Sequence, residues 1–164
     1  MKKNVTAVKK ARENNRSTGL FTRIMVFGTF DILHPGHLHF FKQARALAKN
    51  PYLIVSIARD VSVLKIKGKK PLYGEKKRKE FVHTSGLADR VVLGSTQGHM
   101  PHILKEKPNI IAFGYDQAGH YVEATIQYLQ EHNIPISTRR LKPHHPDKYK
   151  SSIYKAKNLK TADK

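Results

Sequence analysis

Five short apolar runs rich in β-branched residues punctuate the chain: Ile24 to Phe27, Leu53 to Ala58, Val91 to Leu93, Ile110 to Phe113 and Ile134 to Ile136. Each has the length of a strand. Half-exposed strands would alternate apolar and polar residues; these runs are nearly continuous, which predicts burial on both faces, as in a parallel sheet covered by helices. The intervals carry a helical period instead. Phe40, Phe41, Ala44, Leu47 and Ala48 fall on one helical face, as do Val122, Ile126 and Leu129, and weaker patterns follow Glu75 and Pro101. This alternation predicts an α/β domain over residues 22–141: a Rossmann-like, doubly wound parallel sheet of five strands with helices on both faces.

Beyond that stretch the pattern dissolves. Residues 1–21, with Asn14-Asn15, Ser17 and Gly19, read as a basic arm. Residues 142–164 open on Pro143, His144, His145 and Pro146, turn lysine-rich, and read as a basic tail with a short ordered piece around Ser151-Ser152. Both ends are expected outside the core. A length of 164 residues fits one domain with such extensions.

The net charge of +19 is concentrated in three segments. Residues 1–23 hold seven bases and one acid, residues 62–79 eight and one, and residues 142–164 seven and two, so the remainder is close to neutral. Such segments attract polyanions, and Coulomb attraction alone does not separate nucleic acid from nucleotide phosphate. The chain has no cysteine, which excludes a disulfide scaffold, a thiol nucleophile and a cysteine-ligated metal site. No apolar run approaches the roughly 20 residues needed to cross a bilayer, and no signal-peptide core follows the Lys-rich start, so a cytoplasmic protein without a membrane partner is expected.

In open parallel sheets, ligands bind beyond the carboxyl ends of the strands. The unusual residues of this chain follow predicted strands: Gly28-Thr29-Phe30-Asp31-Ile32-Leu33-His34-Pro35-Gly36-His37 after the first, Lys65 to Pro71 after the second, and Gly114-Tyr115-Asp116-Gln117 after the fourth. Pro35 suits the first turn of a helix, Gly36 permits close approach to the backbone, and free N–H groups there would bind phosphate. His34 and His37, bracketing that turn, can aim imidazoles at the same phosphate oxygens. The plainer alternative has one histidine capping the helix and the other packing. His39 completes a histidine cluster, but two residues from His37 it faces elsewhere, and no nearby acid completes a ligand set, so no histidine metal site is expected. The Walker, Gly-x-Gly-x-x-Gly and Gly-x-Ser-x-Gly patterns are absent.

Gly28-Thr29-Phe30-Asp31 followed by His34-Pro35-Gly36-His37 resembles the signature of the cytidylyltransferase-like nucleotidyltransferases. Arg59-Asp60, Lys67-Gly68-Lys69-Lys70-Pro71 and Gly114-Tyr115-Asp116-Gln117 are more similar to the archaeal-type FAD synthases, which adenylylate FMN, than to the glycerol-3-phosphate cytidylyltransferases. The resemblance implies ATP (or CTP) bound with its α-phosphate against His34 and His37, Mg2+ or a similar divalent ion carried on the triphosphate, attack by a phosphorylated acceptor such as FMN, and loss of pyrophosphate. It places Lys67 or a neighbour, Lys69 or Lys70, and Arg78 on the triphosphate. Gly28, Thr29, Phe30 and Asp31 would shape the phosphate loop, Asp31 more as structure than as catalyst. Gly114, Tyr115 and Asp116 would lie near the nucleoside. The cytidylyltransferase branch ends in Arg-Thr-x-Gly-Ile-Ser-Thr, for which this chain offers Lys148-Tyr149-Lys150-Ser151-Ser152-Ile153, so Ser151 and Ser152 could touch phosphate while CTP preference loses its motif. A homodimer is implied by the resemblance and by apolar residues left over at Leu20, Phe21 and Tyr73. The opposing class of reading is a non-catalytic basic module that binds nucleic acid, which the charge alone permits.

Overall fold

A computed structural model of the chain describes residues 21–149 and 152–154. The elements run β1 (Thr22–Gly28), α1 (Pro35–Arg45), β2 (Pro51–Ile57), α2 (Asp60–Lys67), α3 (Glu75–Thr84), β3 (Arg90–Leu93), α4 (His99–Glu106), β4 (Ile110–Phe113), α5 (His120–Glu131) and β5 (Ser137–Arg140). The strands form one sheet in the order β3-β2-β1-β4-β5, with every neighbouring pair parallel. β1 lies at its centre, in register with β2 from Thr22↔Pro51 to Gly28↔Ile57 and with β4 from Ile24↔Ile110 to Val26↔Ala112.

Successive side chains of the inner strands feed two separate cores, which is why their apolar runs are continuous. Ile24, Val26, Leu53, Val55, Ile57 and Ala112 meet Phe41 and Ala44 of α1 and Val82 of α3 on one face. Met25, Tyr52, Ile54, Ile111 and Phe113 meet Ile103 of α4 and Val122 and Leu129 of α5 on the other. The doubly wound α/β fold expected from the periodicity is therefore present. Among the described residues, no helix is long and apolar enough to cross a membrane.

Two features depart from the sequence reading. The last strand is not Ile134 to Ile136: those residues pack on the second core from the connecting segment, and Ile134 N–H closes the end of α5 on Leu129 C=O at 2.9 Å. The strand begins at Ser137, bonds only to β4, and is largely exposed, so an edge position needs its backbone and not apolar side chains. Secondly, Lys65 to Lys67 belong to a helix and not to a loop. α2 buries Val63 but leaves Val61, Leu64 and Ile66 exposed, so it has no amphipathic period to detect, and it stops at Gly68, whose φ of 67° suits a left-handed cap. Leaving β5, the described chain runs on against the domain. Leu141 is buried in the first core, and Gln43 of α1 clasps the next residue, donating to Lys142 C=O at 2.9 Å and accepting from Lys142 N–H at 3.2 Å.

Candidate active site

Because all five strands are parallel, their carboxyl ends share one edge. β1 sits between β2 and β4, the place where the winding reverses and where such folds open a crevice for ligand. Residues 28–34 leave β1 at that point and residues 114–119 leave β4.

The first loop is shaped by Phe30. Its backbone is in the left-handed region at φ 49°, uncommon for a bulky side chain, and the ring folds back into the core at 4% exposure. A Cβ at Gly28 would lie 2.5 Å from that ring, so Gly28 is there to admit Phe30. The chain then enters α1 with His34 as N-cap and Pro35 in the first turn; no side chain caps the helix, and its first turn holds no acid. An uncompensated positive helix end is left facing the crevice, suited to an anion. Gly36 serves a closer purpose than ligand approach alone: a Cβ there would come within 3.0 Å of the His34 ring and 3.1 Å of Tyr149 Cβ.

His34 and His37 stack with centroids 3.8 Å apart and planes 23° from parallel, and His37 presents to the edge of Phe30 at 5.1 Å. Burial holds His34 below the ordinary imidazole range. Burial, then the positive partner that His34 would make, lowers His37 to about 3; a hydrogen bond with the Ile32 backbone acts the other way, and the nearby Lys67 charge lowers it further. His37 Nδ1 is buried with no hydrogen-bond partner among the described residues. The pair is therefore neutral near pH 7, and an arriving polyanion supplies both the missing partner and a reason to take a proton. His39, by contrast, stacks on His144 at 4.0 Å, away from this pair.

This depression has a measurable consequence. An unfolded histidine titrates near 6.5, and the folded value for His37 lies at about 3. Between those values the unfolded chain holds a proton that the folded chain refuses, so stability falls as pH drops through that window. The urea midpoint is expected to fall more steeply between pH 7 and pH 4 in the wild type than in His37→Asn. Parallel curves would show that His37 is not the group responsible.

The basic segment divides into distinct jobs. Lys67 Nζ donates to Thr29 Oγ1 at 3.2 Å, which puts its ammonium over the β1 loop and beside His37. Lys69 and Lys70 are exposed on the turn that follows. Asp31, 2% exposed, accepts from Leu72 N–H at 2.7 Å and Tyr73 N–H at 2.9 Å, tying that turn down. Arg78 corrects the expectation of a triphosphate ligand. It is wholly buried, and its guanidinium donates to Tyr73 C=O at 2.9 Å, Thr29 C=O at 2.5 Å, Ala58 C=O at 2.7 Å and Asp60 Oδ1 at 2.6 Å. With four donors committed to the protein, Arg78 joins the loops after β1 and β2 to α3 instead of facing a ligand. Asp60 and Glu75 complete this junction, Glu75 accepting from Asp60 N–H at 2.8 Å and Asp60 from Glu75 N–H at 3.1 Å.

On the β4 side, Gln117 does work that its place in the motif did not disclose. Its Oε1 accepts from Gly114 N–H at 2.6 Å and its Nε2 donates to Phe27 C=O at 2.7 Å, pinning this loop to the end of β1. Arg140 of β5 adds donations to Gly114 and Gln117 C=O at 3.0 and 2.6 Å. Tyr115 and Asp116 are exposed on the tip of the loop, and Gly114 is buried beneath them. Burial, with the Asp116 charge adding to it, pushes the Tyr121 phenol up to about 12, so it stays a neutral donor beside this loop. Ser152 is exposed in the helical turn of residues 152–154, and Ser151 lies outside the described residues, as does Leu20. Phe21 is not left over, since it packs on the second core.

Residues 25–157 match the Cytidylyltransferase-like family, a span that takes in the tail segment lying on α1. The chain is 39% identical over 127 residues to a protein of Methanosarcina acetivorans named FAD synthase, covering 77% of this chain and 80% of that one. It is 39% identical over 120 residues to the FAD synthase of Methanosarcina barkeri, covering 73% and 83%. A solved structure, the lipopolysaccharide core biosynthesis protein from Thermoplasma volcanium GSS1, superposes with a TM-score of 0.67 at 32% identity, over 75% of this chain and 98% of that chain. The family match covers most of the chain and takes in the stacked histidine pair at the uncapped helix N-terminus on the 3-2-1-4-5 parallel sheet: the chain belongs to the cytidylyltransferase-like family.

Proposed function

We propose that this chain is an FMN adenylyltransferase, transferring AMP from ATP to FMN with release of pyrophosphate. The reaction class is carried by the His34–His37 pair at the open end of α1 with Lys67 beside it; the choice of substrates is supported by the FAD synthase names of relatives at 39% identity. A phosphate oxygen of FMN attacks the α-phosphorus of ATP, the bond from that phosphorus to the bridging oxygen breaks, and the electron pair leaves with pyrophosphate. No strong base is needed, because a phosphate monoester has its second pKa at about 6 and is mostly dianionic at neutral pH. The protein's task is charge stabilisation and alignment. His34, His37 and the N–H groups of α1 would receive the α-phosphate, Lys67 the distal phosphates, and Gly114 to Asp116 the nucleoside.

The donor set bears on the divalent ion. No three His, Cys, Asp or Glu side chains converge among the described residues, and Asp31 has both oxygens engaged by Leu72 and Tyr73. A magnesium ion would fit this rim as a companion of the triphosphate, ligated by phosphate and water and neutralising charge there, with Lys67 holding the same phosphates.

The test offers the purified chain ATP or CTP with FMN or glycerol 3-phosphate and follows pyrophosphate and the nucleotide product. FAD from ATP and FMN is expected. A cytidylyl product, or no pyrophosphate from any pair together with tight salt-sensitive binding to RNA, would replace this reading. Among the lysines, Lys67→Ala is expected to raise the KM for ATP by about tenfold, the scale of one exposed hydrogen bond to a charged group, while Lys69→Ala and Lys70→Ala change it less than twofold. Equal effects at all three positions would mean that the segment acts only as a diffuse charge. We carry a homodimer as part of the proposal, supported by the resemblance and by the exposed Leu72 and Tyr73; light scattering at micromolar concentration decides it.

A further inference from the structure

We propose that Tyr154 is a positioning residue for the histidine pair: its ring closes the aromatic column Tyr154–His34–His37–Phe30, which makes residues 142–149 and 152–154 a working wall of the site. The proposal deepens the reading above and rests on it for the role of His34.

Four rings lie in sequence. Tyr154 stacks on His34 at 5.2 Å with planes 12° apart, His34 on His37 at 3.8 Å and 23°, and His37 meets Phe30 edge-on at 5.1 Å and 76°. One end of the column is anchored. Phe30 is in the core and packs on Phe41 at 5.1 Å. At the other end the ring of Tyr154 lies nearly parallel to that of His34. Such flat contacts orient an imidazole through its faces and not through its nitrogens.

The segment is delivered to this place by an ordered series of attachments. As the chain passes Lys142, His144, Tyr149 and Tyr154, it meets Gln43, His39, Gly36 and His34 of α1 in turn, running antiparallel to the helix toward its N-terminus. The contacts are the Gln43–Lys142 hydrogen-bond pair, the His39–His144 stack at 4.0 Å, the Gly36 position that a Cβ would bring within 3.1 Å of Tyr149 Cβ, and the Tyr154 stack. Lys148 and Tyr149 N–H both return to His145 C=O at 2.9 Å, making the turn that redirects the chain over Gly36. A tail whose only use was its charge would need none of these registers.

Among the described residues, His37 and Tyr154 stack on His34, Tyr149 Cβ lies beside Gly36, Lys67 reaches Thr29 across the loop, and Asp31 is engaged by Leu72 and Tyr73. Of these, Tyr154 is the cover that a single substitution can lift. Full-length Tyr154→Ala and Tyr154→Phe separate the ring from its hydroxyl. Two readouts are taken after the thermal midpoint shows each variant folded: steady-state FAD formation, and the His34 imidazole titration followed by NMR in nucleotide-free protein. Tyr154→Ala is expected to lower kcat about tenfold, the scale of a displaced reacting group, with the KM for ATP within twofold of wild type. It should also move the His34 titration up toward the ordinary value as water reaches the ring. Tyr154→Phe should match the wild type in both. An unchanged His34 titration in Tyr154→Ala, or Tyr154→Phe as impaired as Tyr154→Ala, overturns the proposal. Should the wild type make no FAD, the functional reading fails by itself, and the titration in the free protein still decides whether Tyr154 positions His34.

Discussion

His37→Ala is expected to lower the turnover of AMP transfer by about 10²–10³ in a protein that remains folded at pH 7, the usual effect of removing one donor aimed at developing transition-state charge. The geometry behind this is a half-buried ring over the positive end of α1, with a buried Nδ1 that no described protein group satisfies. KM for ATP should move much less than kcat, because the α1 N–H groups and Lys67 still hold the phosphates in the ground state. The competing account treats His37 as filler between His34 and Phe30, for which the truncation would open space, lower the urea midpoint at pH 7 and spare the chemistry of folded molecules. Single-turnover rates and urea midpoints on one preparation separate the two. A normal rate beside a lowered midpoint would remove His37 from the reaction.

What the sequence disclosed and what it hid divide along a physical line. The inner strands, the cores they feed and the phosphate-facing turn were legible because each is written in local pattern: continuous apolar runs, one helical face such as Phe41 and Ala44, and Pro-Gly between two histidines. Elements held by backbone or by distant partners were not. β5 is an edge strand that bonds through its main chain, so Ser137 to Arg140 carry no apolar signal, and Ile134 and Ile136 took the strand's place in the reading. α2 is secured at its ends by the Asp60–Glu75 exchange and by Gly68, neither of which leaves an amphipathic stripe. Gln117 and Arg140 act through carbonyls and an N–H supplied by other elements, as does Arg78, and a guanidinium facing carbonyls looks no different in sequence from one facing phosphate. In the tail the motif points to Ser151 and Ser152, whereas the described contacts with α1 are made by spaced rings, His144, Tyr149 and Tyr154.

Arg78 offers the sharpest contrast between those two readings. Removing its side chain leaves the carbonyls of Thr29, Ala58 and Tyr73 in a site the guanidinium filled completely, and leaves Asp60 Oδ1 without its cation. Asp60 is 37% exposed at its side chain and water can answer for part of that loss, so the carbonyls dominate the cost. Each orphaned buried acceptor costs about 1–3 kcal/mol, and breaking one side of a buried ionic network about 3–5 kcal/mol. Arg78→Met is therefore expected to lose about 3–5 kcal/mol, a large fraction of the roughly 5–15 kcal/mol that holds a domain together, and to lower the urea midpoint accordingly. Arg78→Lys should be nearly as unstable, because a single ammonium cannot reach four acceptors that a planar fork satisfies at once. A phosphate-gripping arginine predicts the reverse: Arg78→Lys would keep a normal midpoint and bind ATP more weakly. Equilibrium unfolding of the two variants, read beside their KM for ATP, decides whether this residue holds the loops or the nucleotide. The four protein acceptors at hydrogen-bonding distance say that it holds the loops, and through them the position of Thr29 under Lys67.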